Sequence, residues 1–253
     1  MSPHFRIGTW NLDRSGIRKI DRISKQLEKI EQLKADIWIL TETHSSISLP
    51  GYTSIASNLD PSYHQSGESY AAIWSRLPLR KIETLDPLFT VCAELQPEFS
   101  SVKMLVYGTI ITYGADGVKE GVAKSWERHR EAVRQQTAEW QMLKKTYPNH
   151  LLCIAGDFNE NLDGTRWYGV KDAKDSIKQG LKEANLICAT INDLRAPPYE
   201  LTRATVDHIC LSENLRDSFS LEAWEGTVNG MALSDHNGVL VDLAICGAAK
   251  KMN

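Results

Sequence analysis

Five short segments set a carboxylate, an amide or a histidine beside an apolar run: Trp10-Asn11-Leu12-Asp13, Leu40-Thr41-Glu42-Thr43, Ala155-Gly156-Asp157-Phe158-Asn159, Thr205-Val206-Asp207-His208 and Ser234-Asp235-His236-Asn237. Singly, each reads as a turn, because Asp, Asn and Gly serve turns at strand ends. Five in order, each next to an apolar run, are harder to explain that way. Carboxylate and amide oxygens suit a hard cation such as Mg²⁺, which keeps several of its waters. A histidine near a carboxylate can be fixed in one tautomer and favoured in its charged form, and Asp235 stands next to His236 for that purpose. Groups of these kinds can neutralise developing charge, orient a water and move a proton.

Such residues act together only if the fold gathers the strand ends. Continuous or near-continuous apolar runs predict strands at Phe5–Trp10, Ile37–Leu40, Ser69–Trp74, Val91–Leu95, Lys103–Thr112, Leu151–Ala155, Val206–Leu211 and Val239–Ile245. Helical spacing of Ile20, Ile23, Leu27, Ile30 and Leu33 predicts a first amphipathic helix. A second carries Trp126, Val133, Trp140 and Leu143 as core residues, with Ser125 as its N-cap, and a third spans Asp172–Ala184. Segments Ser57–Ser69 and Gly114–Gly121 read as loops, and so do His44 and His64. His208 neighbours Asp207 on a strand and so faces the other way, as a core or surface histidine rather than a ligand. Alternating strands and helices give a layered α/β architecture, with polar residues at strand ends where sites gather.

The chain of 253 residues is long enough for one large domain, and no linker divides it, so residues 1–253 are taken as a single catalytic unit. A formal charge of −3 gives no global basic field to draw in nucleic acid. Five widely spaced cysteines without a C-x-x-C pair read as reduced thiols. No apolar segment follows the first residues as a signal peptide would require, and no apolar run approaches the ~18 residues of a membrane span. A cytoplasmic location is the expectation.

The ordered series W-N, I-L-x-E, G-D-F-N, V-D-H-I-x-x-S and S-D-H resembles the motifs of the endonuclease/exonuclease/phosphatase superfamily, from residue 10 to residue 237. The stretch Ala71–Leu79, with its Ser-Arg-Leu-Pro, resembles the superfamily's third strand. The resemblance implies a four-layer α/β/β/α sandwich: two mixed β-sheets face to face, flanked by helices. It implies Mg²⁺ as cofactor, with Mn²⁺ able to replace it. Glu42 corresponds to the principal metal ligand, Asn11 and Asp235 to its supports, and Asp13 to an extra ligand. Asp157 corresponds to the group that orients or deprotonates water, and Asn159 to one that binds phosphate and holds Asp157. His236 corresponds to the histidine on the phosphate oxygen. Asp207 corresponds to an acid behind it or at a second metal. A non-catalytic relative would need a degraded site, and all seven principal positions are filled.

The substrate is less legible. No histidine follows the central strand, as is common in relatives acting on lipids or inositol phosphates. Tyr113 resembles the tyrosine of the exonuclease III-like branch, without the Pro-Asn that usually follows it. Arg128 stands where related nucleases place an arginine on the phosphate backbone. Arg166 and Trp167 could hold a phosphate and stack a base. These features favour nucleic acid. The acidic balance favours a small phosphoester or lipid headgroup.

Overall fold

The computed structural model describes residues 4–14, 20–61, 65–95, 103–228 and 230–245. Cys246 and His64 lie outside the described residues. In the first sheet, β1 (His4–Asn11) runs parallel to β2 (Ile37–His44), and helix α1 (Ile20–Leu33) joins them. Strands β3 (Thr53–Ala56), β4 (Glu68–Ser75), β11 (Phe219–Trp224) and β14 (Gly238–Ala244) complete it in the order β11-β14-β1-β2-β4-β3. The second sheet holds β5 (Leu79–Ile82), β6 (Thr90–Leu95), β7 (Lys103–Ile110), β8 (His150–Asp157), β9 (Leu186–Cys188) and β10 (Asp207–Ser212). Its order is β5-β6-β7-β8-β10-β9, and α2 (Glu127–Thr146) joins the parallel pair β7 and β8. Helix α3 (Lys171–Glu183) follows β8, and β12 (Thr227–Val228) pairs with β13 (Met231–Ala232) in a small hairpin.

Side-chain alternation explains the layering. On β1, Phe5 and Ile7 enter a core shared with Ile39, Ala155, Ile209 and Val241 from both sheets. Trp10 and Leu12 instead join Trp38, Leu40, Ile30 and Leu33 in a core between the first sheet and α1. A third core packs Leu105, Tyr107, Ile154 and Cys210 against Val133, Trp140, Ile177 and Leu181 of α2 and α3. Three cores separate four layers, so the molecule is an α/β/β/α sandwich. Following β1 in steps of two places Asn11 on the face between the sheets. The same count along β8 and β10 places Asp157 beyond Cys153 and Ala155, and Asp207 before Ile209 and Leu211. Polar groups thus close one end of the inter-sheet core.

Trp140 is fully buried and stacks on Phe158, with ring centroids 5.8 Å apart. Phe158 follows Asp157, so this contact anchors the segment that carries the carboxylate. Trp140→Ala is expected to cost about 3–5 kcal/mol, the usual penalty for emptying so large a buried site. The shift of the urea midpoint measures it.

Two local expectations are corrected. Helix α2 begins after Trp126, which has φ 64° and no side-chain cap, rather than after a Ser125 cap. That backbone turns the Trp126 ring out of the core, onto Gly114 and edge-on to His129 and Tyr168. His44 ends strand β2 instead of lying in a loop. Among the described residues, no helix is long and apolar enough to cross a membrane.

Candidate active site

Asp157 and Asp207 are direct cross-strand partners on β8 and β10. Both are buried, at 1% and 0% exposure. Like charges placed directly opposite destabilise a sheet. His236 meets that problem from the loop before β14: its Nδ1 lies 2.6 Å from Asp207 Oδ2, and its Nε2 lies 3.9 Å from Asp157 Oδ2. Burial alone would lower the imidazole's proton affinity. Asp207 and Asp157 outweigh it, and His236 is lifted to about 10. Asp157 moves the other way from an ordinary carboxylate. Burial raises it, His236 opposes the rise, Asp207 adds to it, and the outcome is about 7.

Asp157 is held rigidly. Its Oδ2 accepts from Asn11 Nδ2 at 3.2 Å and from Asn159 Nδ2 at 3.1 Å. Its Oδ1 accepts from the Asn159 backbone N–H at 2.8 Å. Gly156 has φ +138°, and a Cβ there would stand 1.9 Å from the Thr109 carbonyl oxygen. Only glycine lets β8 approach β7 this closely just before the carboxylate. The histidine loop is tied to β1 as well. Ser234 Oγ donates to the Asn11 carbonyl at 2.6 Å and accepts from the His236 N–H at 3.0 Å, while Trp10 Nε1 donates to the His236 carbonyl at 3.1 Å. The W-N and S-D-H motifs therefore form one interlocked unit.

These groups form one end of a cavity of about 350 Å³. Of the residues singled out in the sequence, Glu42, Tyr113, Asp157, Asn159, Trp167, Asp235 and His236 line it. Asp207 sits behind His236. Asp235 was expected to fix the His236 tautomer; Asp207 does so instead. Neighbouring residues diverge, and the Asp235 carboxylate, 68% exposed, stays 3.9 Å from Nε2. Asn159 was expected to bind phosphate, but its two amide hydrogens go to Asp157 and to the Ile111 carbonyl at 2.9 Å. Asn11 is fully buried, with its oxygen accepting from the Asp13 N–H at 2.8 Å. Asp13 pairs with Arg22 at 2.7 Å and lies outside the lining. Arg128 pairs with Asp116 at 3.3 Å, and Arg166 is exposed outside the lining.

Three polar lining residues were not singled out in the sequence. Arg14 reaches Glu42 at 3.2 Å and lies over the Tyr70 ring. Tyr70 stacks on Phe89 at 4.6 Å, and burial pushes its hydroxyl up to about 12. Arg203 donates to the Asp235 carbonyl. Tyr70 lies near the start of a strand that was foreseen, β4, so its position was a usable signal. Arg14 and Arg203 carried none.

Two donor sets are of a kind that could hold a cation. Asp157, Asp207 and His236 each offer an atom within 4.8 Å of the others. Asp207 Oδ2 is engaged by His236 Nδ1, while Asp207 Oδ1 is buried without a hydrogen-bond partner. Glu42 and Asp235 are hard oxygen donors on the cavity wall, as Mg²⁺ or Mn²⁺ prefers. Glu42 has φ +46°, a conformation non-glycine residues seldom adopt and one that clusters at functional sites. It is paired with a guanidinium and is close enough to Asp157 to raise that carboxyl. A positive charge thus already favours this spot.

Comparison with solved structures shows the same fold in diverse proteins. An AP endonuclease from Leishmania major is 13% identical, with TM-score 0.69, covering 96% of this chain and 88% of its own. The human Nocturnin catalytic domain is 18% identical, with TM-score 0.65, covering 96% and 95%. The endonuclease domain of TRAS1, a telomere-specific non-LTR retrotransposon, is 17% identical, with TM-score 0.62, covering 95% and 99%. No curated protein sequence matches the chain. Residues 8–236 match the Endonuclease/Exonuclease/phosphatase family, a span that starts in β1 and ends on His236. The chain belongs to the endonuclease/exonuclease/phosphatase family.

Proposed function

We propose that this chain is a divalent-metal-dependent phosphodiesterase of nuclease type, acting on single-stranded or frayed nucleic acid. The observation that carries the reading is the placing of a carboxylate, Asp157, and a carboxylate-paired histidine, His236, on one cavity wall. Asp157 accepts a proton from water; its position near 7 suits a base working at neutral pH. The Asn11 and Asn159 amides orient its oxygens. His236 donates through Nδ1 to Asp207, which leaves Nε2–H to hold a phosphoryl oxygen as negative charge builds. The Tyr113 hydroxyl at the cavity wall hydrogen-bonds the phosphate or the leaving oxygen. Glu42 and Asp235 would hold the cation, whose chemistry is Lewis-acid neutralisation of the phosphoryl group.

Nucleic acid fits the remaining surface. Trp167 and Tyr113 are each 51% exposed and Tyr168 37% exposed at the cavity, and flat exposed rings stack bases. Arg14 and Arg203 supply positive charge within the same space. Two of the similar structures are named as endonucleases. Trp167→Ala is expected to raise KM for an oligonucleotide roughly 5- to 150-fold, from ~1–3 kcal/mol per stacked base. It leaves hydrolysis of a small aryl phosphodiester unchanged. Steady-state kinetics on both substrates check this.

The second reading, a small phosphoester as substrate, is favoured by the limited size of the cavity and by the arginines that do not line it. Arg128, Arg166 and Lys171 form no continuous track along its wall. A panel of oligonucleotides and small phosphoesters assayed together separates the two readings.

The pH profile tests the acid–base assignment. The base must be deprotonated and the histidine protonated. kcat/KM is therefore expected to rise through about 7 and fall near 10, values that belong to the coupled Asp157–His236–Asp207 unit. Cation concentration is held fixed, since positive charge beside Asp157 moves the rising limb to lower pH.

A further inference from the structure

On the other face of the second sheet, away from the cavity, four polar side chains meet: Cys188 at the end of β9, Thr190 just after it, and His208 and Cys210 on β10. We propose that Cys188 and Cys210 are a peroxide-sensitive dithiol, with Cys188 the attacking sulfur and Cys210 the resolving one.

The geometry argues for this in three steps. First, Cys188 and Cys210 are direct cross-strand partners in an antiparallel pair. Such partners have Cα atoms about 4.5–5.5 Å apart, inside the roughly 4.4–6.8 Å range that a disulfide spans. Both thiols are free in this structure. Second, the His208 tautomer is set by the protein. Its Nε2 lies 2.9 Å from the Glu160 carbonyl oxygen, which only accepts, so Nε2 carries the proton. Nδ1 then accepts from Thr190 Oγ1 at 2.7 Å, and Cys188 Sγ lies 3.4 Å from that oxygen and 3.7 Å from Nδ1. The thiol proton reaches the imidazole through this hydroxyl. Third, Cys188 is on an edge strand, is only half-buried, and lines a surface depression of about 460 Å³ with Lys178 and Lys182, while the Arg216 there is paired with Glu213. A cationic, accessible setting is what distinguishes a reactive thiol from an inert buried one. Cys92 and Cys153, both fully buried, have no such setting.

Proton affinities agree with the geometry. The Cys210 thiol, donating to Cys188, holds Cys188 well below the usual thiol value, and His208 adds to the effect. Burial drives Cys210 well above it. Both effects favour charge on the more accessible sulfur over the buried one.

The chemistry balances with a hydroperoxide as oxidant. The Cys188 thiolate attacks the distal oxygen, the O–O bond breaks, and the alcohol or water leaves with the proton from His208. Cys188 is then a sulfenic acid. Cys210 sulfur attacks the Cys188 sulfur, the S–S bond forms, the S–O bond breaks, and hydroxide leaves as water with the Cys210 proton. Two thiols lose two electrons, and one hydroperoxide gains them.

The native, full-length protein is treated with a small molar excess of hydrogen peroxide, the remaining thiols are alkylated, and non-reduced peptides are analysed by mass spectrometry. The expected result is a peptide pair linked through Cys188 and Cys210, with Cys92 and Cys153 alkylated only after unfolding. In Cys210→Ser, dimedone is expected to label Cys188 at least tenfold faster than any other cysteine. Oxidation that leaves Cys188 and Cys210 unlinked in the wild type overturns the proposal. So does dimedone labelling of Cys210→Ser spread evenly over its cysteines.

Discussion

Asparagine at position 157 is expected to lower kcat by about 10²–10⁴-fold, the usual contribution of a positioned general base. The substitution keeps the shape and removes only the ability to take a proton. It also has a structural cost that can be anticipated. Asp157 Oδ2 accepts from two amides and Oδ1 from a backbone N–H, so either orientation of the new amide sets a donor against a donor. Each such mismatch costs about 1–3 kcal/mol when buried. Against this, the variant relieves the repulsion between Asp157 and its cross-strand partner Asp207. The two effects oppose each other, so stability changes modestly while the rate falls by orders of magnitude. Stopped assays with protein shown to be folded by circular dichroism measure the loss. A variant within threefold of wild type would remove Asp157 from the proton-transfer role.

Glutamine at position 42 is the second large expectation. It preserves size and keeps the left-handed backbone that aims this side chain into the cavity. It removes the charge that a hard cation needs. The concentration of Mg²⁺ giving half-maximal activity is expected to rise at least about 100-fold, since even residues that only orient metal ligands cost 10–100-fold. kcat at saturating cation falls as well, because Arg14 loses its carboxylate partner and is left held by Tyr70. Activity titrated against Mg²⁺ and Mn²⁺ reads both effects. An unchanged titration would place the cation elsewhere, and the cluster of Asp157, Asp207 and His236 would then be the alternative.

The central strands were legible because both their faces are buried. Every residue of β6 and β10 is inaccessible, and such strands appear as apolar runs. The strands that went unread include all four sheet edges: β3, β5, β9 and β11. Strands β3 and β5 hold no buried residue, and β11 alternates half-buried with exposed positions, so no run marks them. The site divides in a similar way. Asn11, Asp157 and Asp207 fall on one face by simple counting in twos, and their motifs stand out. The partner of His236 did not, because adjacency in sequence suggested Asp235 while the fold supplies Asp207 from 29 residues away. Arg14 and Arg203 reach the cavity through loop geometry that no periodicity encodes. Arg166 and Arg128 show the converse: plausible residue types whose loops and ion pairs carry them away from the wall.

One measurement bears most directly on the central claim, that Asp157, His236 and a divalent cation at Glu42 hydrolyse a phosphodiester. Wild-type protein and His236→Ala are each incubated with a fluorescent single-stranded oligonucleotide and with a small aryl phosphodiester, in Mg²⁺ and in EDTA. The account predicts cleavage by wild type in Mg²⁺, none in EDTA, and a loss of at least about 10²-fold in the variant, the scale set by removing one charge-stabilising donor. Cleavage that persists in EDTA, or that proceeds undiminished without His236, would contradict it.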